Sequence, residues 1–510
     1  MKTKLIFGAA LLATLSVNSH AAQDKQRVIV AFQPGAAASI KAAVGAAHGA
    51  VMLEIDGMDA MAIEVPTNAL KGLEHNPNVL YVEPDVRRYP LSATTPSAAP
   101  YLSGQLVPYG IKMVQADQLS DSNAANRTVC IIDSGYDRSH EDLNANTANG
   151  VYDRGTGWWY TDENHHGTHV AGTIAAVNNY DTGVVGVNPN RKLKLYIVKV
   201  FGADGWAYSS SLAKAANNCG SAGANVISMS LGGAASSKTE DRAFAALEAK
   251  GILSVAAAGN DGTSAMSYPA GYASVLSVGA LDENKQWATF SQFNSKVELA
   301  APGVNVLSTV PMGTGSVSTL TVGGTAYAPG GMEGSPKKTV TAPLADFGLG
   351  DAINTAVAGK VCLIARGSID FATKVSNCQN SGGVGAVVYN NAAGGFGGTL
   401  GTTVTTIPSV TASDTEGAAM KNQLGQSATL SVKPYNYAYY DGTSMATPHV
   451  SGVAALVWSY FPGCTGSQIR VSLDKSALDL GTAGRDDKFG YGLVQAKAAY
   501  DRIQSLGCGK

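Results

Sequence analysis

The sequence predicts an α/β protein built on a doubly wound parallel sheet and preceded by a small α/β unit. Three observations carry that prediction. From about residue 111 onward, apolar stretches of strand length alternate with helical stretches through glycine turns. The strand stretches, among them "RTVCIIDSG", "KLYIVKVFG", "ANVISMSLGG", "ILSVAAAGN" and "VLSVGAL", are apolar almost continuously rather than at every second position. That is the pattern of parallel strands covered by helices on both faces. Finally, several of these strands end on polar residues, namely Asp133, Ser230 and Asn260, and open parallel sheets collect their chemistry at strand carboxyl ends.

At 510 residues the chain is too long for one core and should contain two or three units. Its 36 basic and 38 acidic residues leave a net charge of -2, which gives no electrostatic basis for binding nucleic acid or an anionic membrane. Residues 1–4 carry two lysines, "LIFGAALLATLSV" is an apolar run, and Ser19-His20-Ala21 ends in the small-x-small pattern of a signal peptidase site. A signal peptide over residues 1–21, cut after Ala21, implies a secreted, extracellular protein. The run is too short to be a spanning anchor, which needs roughly 20 residues. Six cysteines in an exported chain favour disulfides. Proximity suggests Cys362 with Cys378 and Cys464 with Cys508, which leaves Cys130 with Cys219.

Reading along the chain, residues 27–33 and 60–65 are expected to be strands and residues 39–48 and 67–75 to be helical. The stretch "VLYVEPD" at 79–85 closes the leading unit. The following "RRYPLSATTPSAAP" is rich in Ser, Thr, Pro and Ala and reads as a linker. On its residues alone the leading unit could be a binding module or a propeptide.

"NHHGTHVAG" at 164–172 places His165 and His169 four apart, the helical spacing zinc proteases use. A site of that kind needs a glutamate straight after the first histidine to activate water. His165 is followed by His166, so a histidine that moves a proton is the better reading. Ser444, in "DGTSMATPHVSGVAALVW", opens a helix whose free N–H groups and dipole favour developing negative charge. Together these are the parts of an acyl-transfer site.

The strings "IIDSGYDRSHEDL", "NHHGTHVAGT", "SMSLGG", "AAAGN" and "YYDGTSMATPHVSG" resemble the five signature blocks of the subtilisin-like serine proteases, in that family's order. The resemblance implies Asp133 as the orienting carboxylate, His166 as general base, Ser444 as nucleophile and Asn260 as oxyanion donor. These residue types suit the chemistry: serine needs a base to become nucleophilic, imidazole serves near neutral pH, and a carboxylate fixes its tautomer. It also implies a catalytic domain in two parts, 100–311 and 435–510, an inhibitory propeptide with its linker over 22–99, and an inserted, mainly β domain over 312–434. The insert resembles the protease-associated domain. Its "GGVGAV" lacks the last glycine of a dinucleotide fingerprint.

For substrates, the resemblance makes Ser230, Leu231, Gly232, Gly233 and Ala257 walls of the specificity pocket, favouring large apolar residues before the cut. The segment "FGADGWAYS", including Gly205, would pair with the peptide as an added strand edge. A structural calcium ion is implied at Gln105, Asp142, Val177 and Asn179, whose oxygens suit a hard cation; no cofactor is expected for catalysis. The expected protein is thus a monomeric secreted serine endopeptidase acting on protein and peptide substrates and restrained by its own propeptide. A metal-dependent hydrolase lacks the glutamate and a third ligand, and an inactive binding relative should have lost a triad residue.

Overall fold

The structure is a computed structural model that describes residues 25–91, 93–94 and 104–510. The signal peptide read at 1–21 lies outside the described residues. The chain forms two compact units, one ending at residue 84 and the other comprising 55–58 and 85–510.

The first unit is a four-stranded antiparallel sheet in the order Ala50–Glu54, Ala60–Pro66, Lys25–Phe32, Val79–Pro84. Val28, Val30 and Phe32, two residues apart on one strand, share a core with Ile40 and Val44 of the helix Ala37–Ala46 and Leu73 of the helix Leu70–Glu74. The strand Ala50–Glu54 is absent from the sequence reading. It is an edge strand with Val51 and Met52 exposed, so it carries no inward-outward alternation to read.

In the second unit, seven parallel strands run in the order Val297–Pro302, Val275–Leu281, Leu253–Ala257, Val226–Met229, Thr128–Asp133, Lys194–Lys199, Thr147–Val151. Strand Thr128–Asp133 shows why its sequence reads as continuously apolar. Val129 and Ile131 enter the core shared with the helices His166–Ala175 and Thr443–Tyr460. Cys130 and Ile132 enter the opposite core, shared with Ser209–Ser221 and Lys238–Ala249. After Lys194–Lys199 the chain crosses to the other side of Thr128–Asp133 and winds outward from there. The carboxyl end of Thr128–Asp133 therefore sits at the reversal of strand order, where α/β sheets open a crevice.

The insert contributes a separate seven-stranded mixed sheet, from Thr325–Tyr327 at one edge to Ser409–Ala412 at the other, with helices Phe371–Asn380 and Asp414–Lys421 and two cores of its own. The strands before and after it, Val306–Thr309 and Tyr437–Asp441, pair antiparallel with each other. Its ends are thereby held together, which is how a long insertion is tolerated. The bridges Cys130–Cys219, Cys362–Cys378 and Cys464–Cys508 are all present. Gly383 of "GGVGAV" packs onto one of them: a Cβ there would stand 2.4 Å from Cys378 Sγ. Among the described residues, no helix is long and apolar enough to cross a membrane.

Candidate active site

Asp133 closes its strand and His166 opens its helix, and both are buried. Their side chains meet with His166 Nδ1 2.7 Å from Asp133 Oδ1. Two glycines permit this approach. Gly135 has φ +127°, and a Cβ on Gly167 would lie 2.3 Å from Gly135 O, so no larger residue lets the helix start so close to the strand end.

The helix start is capped from four residues upstream. Asp162 accepts from His165 N (2.9 Å), Thr168 N (2.8 Å) and the Thr168 hydroxyl (2.6 Å). Ser134 Oγ donates to Asp162 (2.8 Å) and accepts from Gly167 N (2.8 Å). Sequence reasoning missed both residues, although an acidic residue just ahead of a helix is a capping signal.

The three clustered histidines face different partners. His169 is buried, stacks on Tyr440 with ring centroids 4.3 Å apart, and lies 3.0 Å from Val306 O and 3.1 Å from Ala438 O through Nε2. Burial pushes its pKa down to about 3, so a neutral imidazole ties together the two strands that flank the insert. His165, half-buried at the helix entrance, is likewise lowered by burial.

Ser444 is the second residue of the helix Thr443–Tyr460, which contains Pro448. A proline has no N–H, so the Ser444 carbonyl loses its intrahelical donor four residues on. Ser230 replaces it: Ser230 Oγ donates to Ser444 O at 2.7 Å. The Ser444 hydroxyl in turn donates to Ser230 O (2.9 Å), and among the described residues His166 Nε2 has no hydrogen-bond partner.

A segment of the chain occupies the crevice beside these residues. Arg87–Pro90, within the stretch read as a linker, is a strand. It lies between Ala207–Tyr208 and Leu231–Gly232, antiparallel to both, with Arg88 opposite Ala207 and Pro90 opposite Leu231. Leu91 follows, donating to Ser230 O (3.3 Å). Its carbonyl accepts from Asn260 Nδ2 (2.7 Å) and from Ser444 N (3.3 Å). The Asn260 amide is oriented by its other end, which accepts from Thr443 N (2.9 Å) and Thr443 Oγ1 (2.8 Å). A Cβ on Gly232 would come within 2.8 Å of Leu91 Cδ1, so Gly232 borders the Leu91 side chain; one on Gly233 would meet Arg87 O at 2.6 Å. Beyond Leu91, Ala93–Thr94 pairs with Tyr440 and Asp441.

One substrate expectation needs adjustment. Gly205 does not pair with the segment: it sits at φ +67° in a turn closed onto Gly202, and the edge is supplied by Ala207 and Tyr208. Ala257 is buried at the end of its strand. The calcium expectation concerns residues that do come together. Gln105 Nε2 reaches Val177 O (2.8 Å) and Val184 O (3.2 Å), and Asn179 Nδ2 reaches Asp142 Oδ1 (2.6 Å).

Comparison with known proteins agrees with this arrangement. A profile described as "Subtilase family" matches residues 124–334, and one described as "PA domain" matches 337–420. The chain is 34% identical over 336 residues to the alkaline protease of Alkalihalobacillus alcalophilus, with 61% of this chain and 82% of that protein covered. The chain belongs to the subtilase family. It is also 35% identical over 326 residues to subtilisin E of Bacillus subtilis (strain 168), covering 61% of this chain and 81% of that protein. With alkaline elastase YaB of Bacillus sp. (strain YaB) it shares 33% identity over 515 residues, covering 97% and 98%. A solved structure, that of the psychrophilic subtilisin-like protease Apa1 from the Antarctic psychrotroph Pseudoalteromonas sp. AS-11, is similar at 44% identity and TM-score 0.61, covering 79% of this chain and 99% of that chain. As a subtilase this protein is a serine endopeptidase, a hydrolase of peptide bonds, with a PA domain inserted in its catalytic domain.

Proposed function

We propose that Ser444 is the nucleophile of this endopeptidase, His166 its general base and Asp133 the carboxylate that orients the imidazole. The observation that carries this reading is the Leu91 carbonyl held between Asn260 Nδ2 and Ser444 N. That pair of donors is where the oxyanion of a tetrahedral intermediate needs them. His166 donates Nδ1–H to Asp133, which leaves Nε2 to accept a proton. Rotation of the Ser444 hydroxyl from Ser230 O to His166 Nε2 starts the reaction. Ser444 Oγ bonds to the carbonyl carbon as its proton passes to His166, and the carbonyl oxygen gains negative charge between Asn260 and Ser444 N. Collapse expels the amine, which takes the proton back from His166, and water hydrolyses the acyl-enzyme by the same base.

The first substrate is the chain itself, cut at the bond after Leu91. Residues 22–91 then act as inhibitory propeptide, and the strand contacts of Arg87–Leu91 represent how a protein substrate is held. Leu91 in the pocket bordered by Gly232 supports a preference for large apolar residues before the cut. Gln105, Asp142, Asn179 and the carbonyls of Val177 and Val184 would hold calcium. Burial pushes the Asp142 carboxyl up to about 6, an environment that a bound cation would offset. Residues 1–21 direct export.

The test is intact mass and peptide mapping of the processed protein with a fluorophosphonate, beside a peptide-hydrolysis assay. One adduct on Ser444, loss of activity, and a first-formed N-terminus at Ser92 are expected. An adduct elsewhere, or hydrolysis that survives the reagent, would overturn the assignment of the nucleophile. A first cut at another bond would overturn the assignment of Leu91.

A further inference from the structure

Arg88, three residues before Leu91, is an arginine buried to 1% exposure, which a cleft segment does not need if backbone pairing alone holds it. Its guanidinium makes a two-point contact with Glu240, Nε to Oε1 at 3.0 Å and Nη2 to Oε2 at 2.5 Å, with the glutamate side chain fully buried. Paired N–H bonds to both carboxylate oxygens are specific to a planar guanidinium.

The receiving side is built around Glu240. It stands in the first turn of the helix Lys238–Ala249, where a carboxylate is favoured, and Ser237 Oγ caps its backbone N–H (3.3 Å). The Tyr272 hydroxyl donates to Glu240 Oε2 (2.7 Å) and accepts from Ser237 N (2.8 Å). Burial and the nearby Glu240 charge raise the Tyr272 pKa and keep it a donor. Gly233 leaves room for the arginine: a Cβ there would lie 3.2 Å from Arg88 Nη1 and 3.6 Å from its Cδ. Neighbouring Arg87 is exposed and lies over the Trp206 ring at 4.2 Å, so one arginine is enclosed and the other is not.

We infer that Glu240, with Tyr272, forms a guanidinium-binding subsite that makes the enzyme prefer substrates with arginine at the fourth residue before the cut. The inference rests on the proposed active site and adds to it a charged selectivity beside the apolar one at the cut. Lysine, a point charge that cannot span both oxygens, is the poorer ligand, and an uncharged residue of the same length leaves the buried carboxylate without its cation.

The experiment compares 4-nitroanilides of acetyl-Arg-Tyr-Pro-Leu, acetyl-Lys-Tyr-Pro-Leu, acetyl-norleucine-Tyr-Pro-Leu and the truncated acetyl-Tyr-Pro-Leu on the processed enzyme and on E240Q. Wild type should favour arginine over norleucine by about 10- to 100-fold in kcat/KM, the range for one buried charged hydrogen-bonding group, with lysine between them. In E240Q that ratio should fall towards parity, with the truncated peptide serving as the reference rate for each enzyme. If the ion pair served only to lock the uncut chain, peptides added from outside would show no arginine preference, and that result would overturn the inference. The wild-type comparison stands even where E240Q does not fold. Failure to cleave any peptide, with no fluorophosphonate adduct on Ser444, would instead sink the active-site reading.

Discussion

The Ser230 hydroxyl offers a quantitative test of how the helix that opens at Ser444 is held. Pro448 deprives Ser444 O of its donor, and Ser230 Oγ replaces it at 2.7 Å, with both residues fully buried. Ser230→Ala leaves a buried carbonyl unpaired, which costs about 1–3 kcal/mol. In a unit of about 430 residues that lowers Tm by about 1–3 °C. In a Pro448→Ala background the restored N–H can bond to residue 444 O, so Ser230→Ala should cost well under half as much, a coupling of about 1–2 kcal/mol. The four members of this cycle would be made on Ser444→Ala, which on the proposed mechanism removes self-digestion and keeps the backbone carbonyl, and compared by calorimetry at one scan rate. Equal Tm losses in the two backgrounds would refute the account of Ser230 as the substitute donor.

Gly167→Ala should lower kcat by about 100-fold, because its Cβ displaces the helix start and with it His166 from Asp133; peptide-anilide kinetics with KM nearly unchanged would bear this out. If the proposed calcium is bound, a chelator should lower Tm, with a loss of about 3 kcal/mol of stability if the ion was held at a hundred times its Kd, and Asp142→Asn should abolish that response. His169 and His449 are held neutral by burial, with pKa values lowered to about 3 and about 4. The unfolded chain binds those protons first, so stability present above pH 6.5 is lost as pH falls, by about 1.4 kcal/mol per unit and per histidine. Urea titrations of Ser444→Ala at pH 7 and pH 5 would show the loss, and identical midpoints would contradict it.

Asp133, Ser230 and Asn260 were legible in the sequence because buried parallel strands leave little room for polar residues except at their ends. The doubly wound sheet was legible for the same reason, through the continuous apolar runs that two-sided burial demands. The contacts of residues 87–91 were not. Pairing between two strands needs backbone groups and no periodicity, so Ser- and Pro-rich text reads as a linker. The burial of Arg88 depends on Glu240, 152 residues further on, a distance no local pattern spans. Asp162 caps across a turn in which His165 adopts φ 72°, which hides its spacing from the usual N-cap rule. In "FGADGWAYS" the glycine is needed by the turn, and the pairing falls two residues later, on side chains that carry no mark of it.

The strand Arg87–Pro90 belongs to the same covalent chain as the cleft it fills, and this makes its hold on the cleft a matter of local concentration. Joined through residues 92–103, the segment is presented at an effective concentration on the order of millimolar, independent of how dilute the protein is. On the proposed reading, a cut after Leu91 would make the strand's rebinding bimolecular. From then on, occupancy follows the amount of free peptide in the surroundings. If the segment is the inhibitory propeptide proposed above, an uncut molecule in a crowded compartment and one in a large volume would be equally silent, whereas cut molecules would wake in the large volume first.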